Sequence, residues 1–177
     1  MNLPNKLTIL RMLLVPVFVA CFYIPAAYAD MIAAGVYLLA YLTDILDGQI
    51  ARKRNLITSF GKLMDPMADK LLTCSAFIML SARALVSPIA VIIIIARELF
   101  ISGFRLVAVE SGNVIAASWL GKIKTISQCV AVITALVWPY LWPAFPLDDI
   151  IVWISVGFTL WSGIDYVVKN KASIKFS

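Results

Sequence analysis

DILDGQIARKRNLITSFGKLMDPMAD, residues 44–69, holds Asp44, Asp47, Asp65 and Asp69, four of the ten acidic residues in a chain that is 62% hydrophobic. Asp44 and Asp47 are spaced i, i+3, and Asp65 and Asp69 are spaced i, i+4. In helical segments, each pair projects from one face. The connector carries Gly48, Arg52, Lys53, Arg54, Asn55, Thr58, Ser59 and Gly61, a polar and turn-forming composition. The pattern predicts two antiparallel helices, each presenting two carboxylates near a shared basic turn.

Four converging carboxylates repel one another unless positive charge sits between them. The chain has no histidine, and its three cysteines are isolated, so a soft-metal site is not expected. Oxygen donors in this number suit Mg²⁺, Mn²⁺ or Ca²⁺. Two such ions shared by the four acids would form the clamp used for in-line displacement at phosphorus. The plainer alternative makes the acids solvated helix-end charges paired with Arg52, Lys53 and Arg54. Against it stands the cost of carboxylates in an apolar chain, where they are usually functional.

Working outward, 177 residues with 14% charged and a mean hydropathy of +0.95 do not make an ordinary soluble domain. Apolar runs recur along the whole length, so residues 1–177 are expected to form one all-α integral membrane domain of about six transmembrane helices. Asn2, Asn5, Lys6, Thr8 and Arg11 make the first turns polar, and Pro4 suits a helix start. This predicts a short interfacial helix ahead of the first span. The expected spans are about 12–29, 31–47, 63–82, 89–109, 126–141 and 150–168. Asp30 marks one turn, Arg83, Ser87 and Pro88 another, and Pro139, Pro143, Pro146, Asp148 and Asp149 a third. Residues 110–124 read as a loop. Cys21, Cys74 and Cys129 fit packing roles, and no cleavable signal follows Arg11.

Basic residues fix the orientation. Lys6, Arg52, Lys53, Arg54, Lys122, Lys124, Lys169, Lys171 and Lys175 collect on one side, while Arg83 faces Asp30, Asp148 and Asp149 on the other. The positive-inside rule places both termini and the aspartates at the cytoplasmic face of a multi-pass cell membrane protein. Topology accounts for the basic clusters, and no nucleic-acid motif is present.

The pattern Asp44-x2-Asp47-Gly48-x2-Ala51-Arg52-x8-Gly61-x3-Asp65-x3-Asp69 resembles the signature of the CDP-alcohol phosphotransferases, with no position missing. The resemblance implies a membrane enzyme that moves a phosphatidyl group from a CDP-linked lipid to an alcohol. The resemblance then implies Asp44, Asp47 and Asp65 as the primary ligands of Mg²⁺ or Mn²⁺, two ions in all, and Asp69 as the general base that also shares the second ion. The CDP-lipid would be bound by Asn5, Thr8, Asp44, Asp47, Gly48, Ala51, Arg52, Gly61 and Asp65. Gly48, Ala51 and Gly61 suit close approach of a nucleotide, although small residues also serve helix packing. A homodimer is implied by the resemblance alone.

Arg97, Glu98, Ser102 and Arg105 form a polar patch in the fourth span. Glu98 and Arg105 fall on nearly one face, so Glu98 is expected to orient Arg105. Arg97 and Arg105 differ by roughly 80° around the axis, which still lets both line one wide cavity. With Lys122 or Lys124 they make an anion site suited to an acceptor carrying its own phosphate. If helical, the two lysines do not share a face, so one of them is expected to reach the site. The alternative is that the arginines snorkel to the interface and pair with Glu98.

SFGKLMDPMADK, AREL, ISGFR, SWLGKIKTISQ and the opening NLPNKLTILR more narrowly resemble the branch of the family that uses glycerol 3-phosphate. The implied reaction joins CDP-diacylglycerol and sn-glycerol 3-phosphate to give phosphatidylglycerophosphate and CMP. Rival readings are a sister enzyme using inositol phosphate or serine, and a small cation transporter. Acids clustered at one face and no visible inverted repeat argue against the transporter.

Tags at either terminus should be cleaved in sealed inside-out vesicles and protected in intact spheroplasts. The opposite pattern at either end would refute the orientation.

Overall fold

The computed structural model describes residues 3–26, 28–53, 59–110 and 118–171. Within these ranges the side chains of residues 3–4, 47–53, 59–63, 65, 66 and 110 lie outside the description. Six helices follow in chain order: α1 Leu3–Cys21, α2 Ala29–Lys53, α3 Ser59–Ala82, α4 Pro88–Glu110, α5 Trp119–Leu141 and α6 Leu147–Asn170. Among the described residues there are no strands. Ala29–Leu46, Trp119–Leu141 and Leu147–Asn170 have the length and apolarity to cross a bilayer. The fold is that of an all-helical membrane protein.

The helix ends differ from expectation in instructive places. α1 is one continuous helix with Pro16 inside it, so the polar opening is its first turns rather than a separate interfacial piece. One face of those turns points inward, with Asn5, Thr8 and Arg11 buried on the same stripe as Val15 and Phe18, while Lys6 and Leu10 are exposed. α5 starts at Trp119 instead of about Ile126. Ser118 caps it, its Oγ accepting a hydrogen bond from the Gly121 backbone N–H at 3.0 Å. That cap converts the expected loop around Lys122 and Lys124 into helix.

Small residues let the helices approach closely. Ala33 and Ala40 of α2, Ala76 of α3, Ala90 of α4 and Ala131 and Ala135 of α5 are fully buried. Phe18, Tyr37, Phe77, Leu80, Ile94 and Leu136 fill the space between them. α5 packs most extensively on α6, α1 packs on α2 and α3, and α4 joins the bundle chiefly through α6.

The two ends of the bundle are built differently. At one end Asp30, in the first turn of α2, is buried and accepts hydrogen bonds from Arg83 at 3.3 Å and from the Tyr140 hydroxyl at 2.6 Å. This ties the start of α2 to the α3–α4 turn and the end of α5. Ala84 in that turn has φ of 57°, a left-handed C-terminal position that closes α3. Toward the other end, Asp44 of α2, Asp69 of α3, Arg97 and Arg105 of α4, Lys122 and Lys124 of α5 and Tyr166 of α6 surround one charged space.

Candidate active site

A cavity of about 660 Å³ opens between α2, α3, α4, α5 and α6 at this charged end. Asp44 and Asp69 line it from α2 and α3. Arg97 and Arg105 line it from α4, and Lys122 and Lys124 from α5. Acidic and basic groups from four helices thus share one space. Asp47, Gly48, Ala51 and Arg52 continue α2 past Asp44, and Gly61 and Asp65 precede Asp69 on α3, but their side chains lie outside the described residues.

Asp44 forms an ion pair with Arg11 of α1 at 2.5 Å, and Arg11 is completely buried. Thr8 and Asn5, buried about one and two turns earlier, complete an inward polar stripe. Arg11 is a residue that the sequence reading missed. Its signal was the three-residue recurrence of Asn5, Thr8 and Arg11, a helical stripe rather than a polar cap.

The cation wall is organised by Glu98, which does not orient Arg105 as expected. Buried Glu98 pairs with Lys124 across to α5 and accepts a hydrogen bond from the neighbouring Arg97 at 3.3 Å. Arg97 also donates from Nη2 to the Ser162 hydroxyl of α6 at 2.9 Å. Arg105 is held instead by Tyr166 of α6. Its Nε donates to the Tyr166 hydroxyl at 3.0 Å, and its guanidinium lies 5.2 Å from the ring centroid. Ser102 turns its hydroxyl to the Glu98 carbonyl.

Lys122 and Lys124 occupy different faces of α5, and both reach the cavity. Lys124 is buried in its pair with Glu98, while exposed Lys122 borders the opening with its ammonium 5.8 Å from the Trp119 ring centroid. The expectation that only one of them would reach the site was too narrow, because Lys124 lines the cavity from within while Lys122, near the start of α5, borders it from the exposed side. Among the described lining residues, Lys70, Arg97, Arg105, Lys122 and Lys124 outnumber Asp44, Asp69 and Glu98. Such a surplus of cations suits a multiply charged anion.

The donor chemistry of the opposite wall fits a hard divalent cation. Asp44 and Asp69 offer carboxylate oxygens to a common space, and the chain has no histidine. Among the described residues no three acidic, histidine or cysteine side chains converge; Asp47 and Asp65 are not among those compared.

The fold and the cavity define a helical membrane protein with carboxylates and cations facing each other across one polar chamber. The model of the CDP-alcohol phosphatidyltransferase family matches residues 1–161, and the chain belongs to that family. A CDP-diacylglycerol–glycerol-3-phosphate 3-phosphatidyltransferase of Bacillus subtilis (strain 168) is 40% identical, over 99% of this chain and 98% of that protein. Proteins of the same name from Rickettsia bellii (strain RML369-C) and Salmonella paratyphi A (strain ATCC 9150 / SARB42) are 40% and 37% identical, over 93% and 98% of this chain and 93% and 97% of their own lengths.

Glu98→Ala should lower stability by about 3–5 kcal/mol, because it strands two buried cations. Adding Lys124→Ala should restore part of that loss. Thermal unfolding in detergent checks this, and a double variant no more stable than the single one would refute the pairing role.

Proposed function

We propose that the chain transfers the phosphatidyl group of CDP-diacylglycerol to sn-glycerol 3-phosphate, releasing CMP and forming phosphatidylglycerophosphate. The observation that carries this reading is the two-sided cavity. Carboxylates for the donor's metal-bound pyrophosphate lie on α2 and α3, and cations for a phosphorylated acceptor lie on α4 and α5. The relatives bearing the corresponding name support the choice of acceptor.

Mg²⁺ or Mn²⁺, as two ions held by Asp44, Asp47, Asp65 and Asp69, would neutralise the donor pyrophosphate and acidify the acceptor hydroxyl. Asp69 takes the hydroxyl proton. The acceptor oxygen bonds to the phosphorus that carries diacylglycerol, and the bond from that phosphorus to the bridging oxygen breaks. CMP departs with the electron pair. Arg97, Arg105, Lys122 and Lys124 hold the acceptor's phosphate, which fixes the attacking hydroxyl in line. Asn5, Thr8, Gly48, Ala51, Arg52 and Gly61 complete the donor site. The whole chain acts as one domain, with this end facing the cytoplasm.

The deciding assay is CMP release from purified enzyme offered glycerol 3-phosphate, inositol 1-phosphate, serine and glycerol in parallel. Glycerol 3-phosphate should be preferred. Arg105→Ala should raise its KM by at least tenfold, since losing a hydrogen bond to a charged group costs about 1.5–3 kcal/mol, while the KM for CDP-diacylglycerol stays near the wild-type value. Preference for serine or glycerol would refute the acceptor, and preference for inositol phosphate would move the chain to a sister activity.

EDTA should abolish turnover, and Mg²⁺ or Mn²⁺ should restore it. Asp44→Asn should be inactive at any metal concentration that saturates the wild type. Full activity in EDTA would end the metal reading.

A further inference from the structure

The two arginines of the cation wall sit on α4, and side chains of α6 reach both guanidinium groups. Ser162 Oγ donates its own proton to the Thr159 carbonyl at 3.0 Å, so its oxygen is left to accept from Arg97 Nη2. Next to it, Gly163 leaves room for the arginine stem: a Cβ there would lie 3.2 Å from Arg97 Cγ and 3.6 Å from its Nε. Three residues on, Tyr166 receives Arg105 Nε with its hydroxyl and carries the guanidinium against its ring. The Tyr166 ring is itself pinned edge-on by Phe104 at 5.8 Å between centroids.

This patch is rigidly backed. Thr159 accepts from the Gln128 side chain of α5 at 3.0 Å and donates to the Ser155 carbonyl at 2.7 Å, and all three residues are buried. The ladder runs through the most extensive helix contact in the molecule, α5 on α6, while α4 has α6 as its chief neighbour. α6 therefore holds Arg105 and shares the holding of Arg97 with Glu98. The family match ends at residue 161, one position before the patch begins.

We propose that Ser162, Gly163 and Tyr166 are positioning residues that set the spacing and direction of Arg97 and Arg105, and so determine selectivity for an acceptor bearing a phosphate. This rests on the transfer reaction proposed above. An enzyme needs the arginines pre-aimed because each is a long, flexible side chain whose ordering on binding would otherwise weaken the complex. A hydroxyl, a missing Cβ and an aromatic face on one turn of α6 supply that aim, and substituting them retunes the acceptor site without touching the aspartates.

The test is two-substrate kinetics on Ser162→Ala and Tyr166→Phe, each of which deletes one hydrogen-bonding oxygen and keeps the rest of the side chain. Both should raise the KM for glycerol 3-phosphate roughly tenfold, the effect of losing about one hydrogen bond to a charged group. The inhibition constant of inorganic phosphate, competing with the acceptor, should rise in parallel. The KM for CDP-diacylglycerol and kcat at saturating acceptor should stay at wild-type values. Gly163→Ala should act in the same direction through displacement of Arg97.

A loss of kcat alone, or an equal rise in both KM values, would mark a merely structural role and overturn the assignment. Wild-type KM and phosphate inhibition in both oxygen-deleted variants would overturn it while leaving the transfer reaction standing. If the wild type releases no CMP with glycerol 3-phosphate, the reaction and the positioning role fall together.

Discussion

Glu98 is the contact on which the charged end of the bundle depends. It is a buried carboxylate whose Oε1 meets both Lys124 and Arg97. Two cations held this close in a medium of low dielectric would repel strongly without it. Charges this deep are tolerated when paired, and removal of one partner costs far more than the pair contributes. Glu98 thus joins α4 to α5 and leaves the cavity with cations that are already desolvated and already in place.

The rest of the architecture works to keep that charged end open and ordered. α1 contributes a buried Arg11 beneath Asp44, so the acidic wall also has its fixed countercharge. α6 contributes hydroxyls and an aromatic face to the arginines. The fully buried alanines bring the helices near enough for these short side chains to reach across. Each wall of the cavity is therefore held by a helix that supplies none of its aspartates: α1 behind the acids and α6 behind the arginines.

Much of this was legible in the chain itself. Apolar runs broken by turn residues gave six helices, because in a bilayer the backbone must satisfy its own hydrogen bonds and helices do so locally. The aspartate spacing marked the part of the chain that carries Asp44 and Asp69. What escaped were interactions fixed by helix packing. Arg11 looked like a surface charge until its three-residue relation to Asn5 and Thr8 was set inside the bundle. Glu98 and Arg105 share a face of α4, which suggested a pair; Lys124 and Tyr166 on neighbouring helices outcompete that contact. Tyr166 and Ser162 lie in a stretch whose hydropathy marks a span and nothing more. The start of α5 was missed because Ser118 capping is a local choice that an apolar window does not register.

The clamp of Asp30, Arg83 and Tyr140 has an electrical consequence. A polar chamber inside a membrane that holds a voltage is a potential short circuit, since each elementary charge that leaks across dissipates about 2.3 kcal/mol per 100 mV. Below the chamber lies a plug of Phe18, Tyr37, Phe77, Leu80, Ile94 and Leu136, each at most 1% exposed, and beyond the plug the ends of α2, α3 and α5 are tied together. Among the described residues this apolar layer stands between the charged chamber and the clamped end, the arrangement that lets a hydrated, highly charged chamber sit in an insulating membrane.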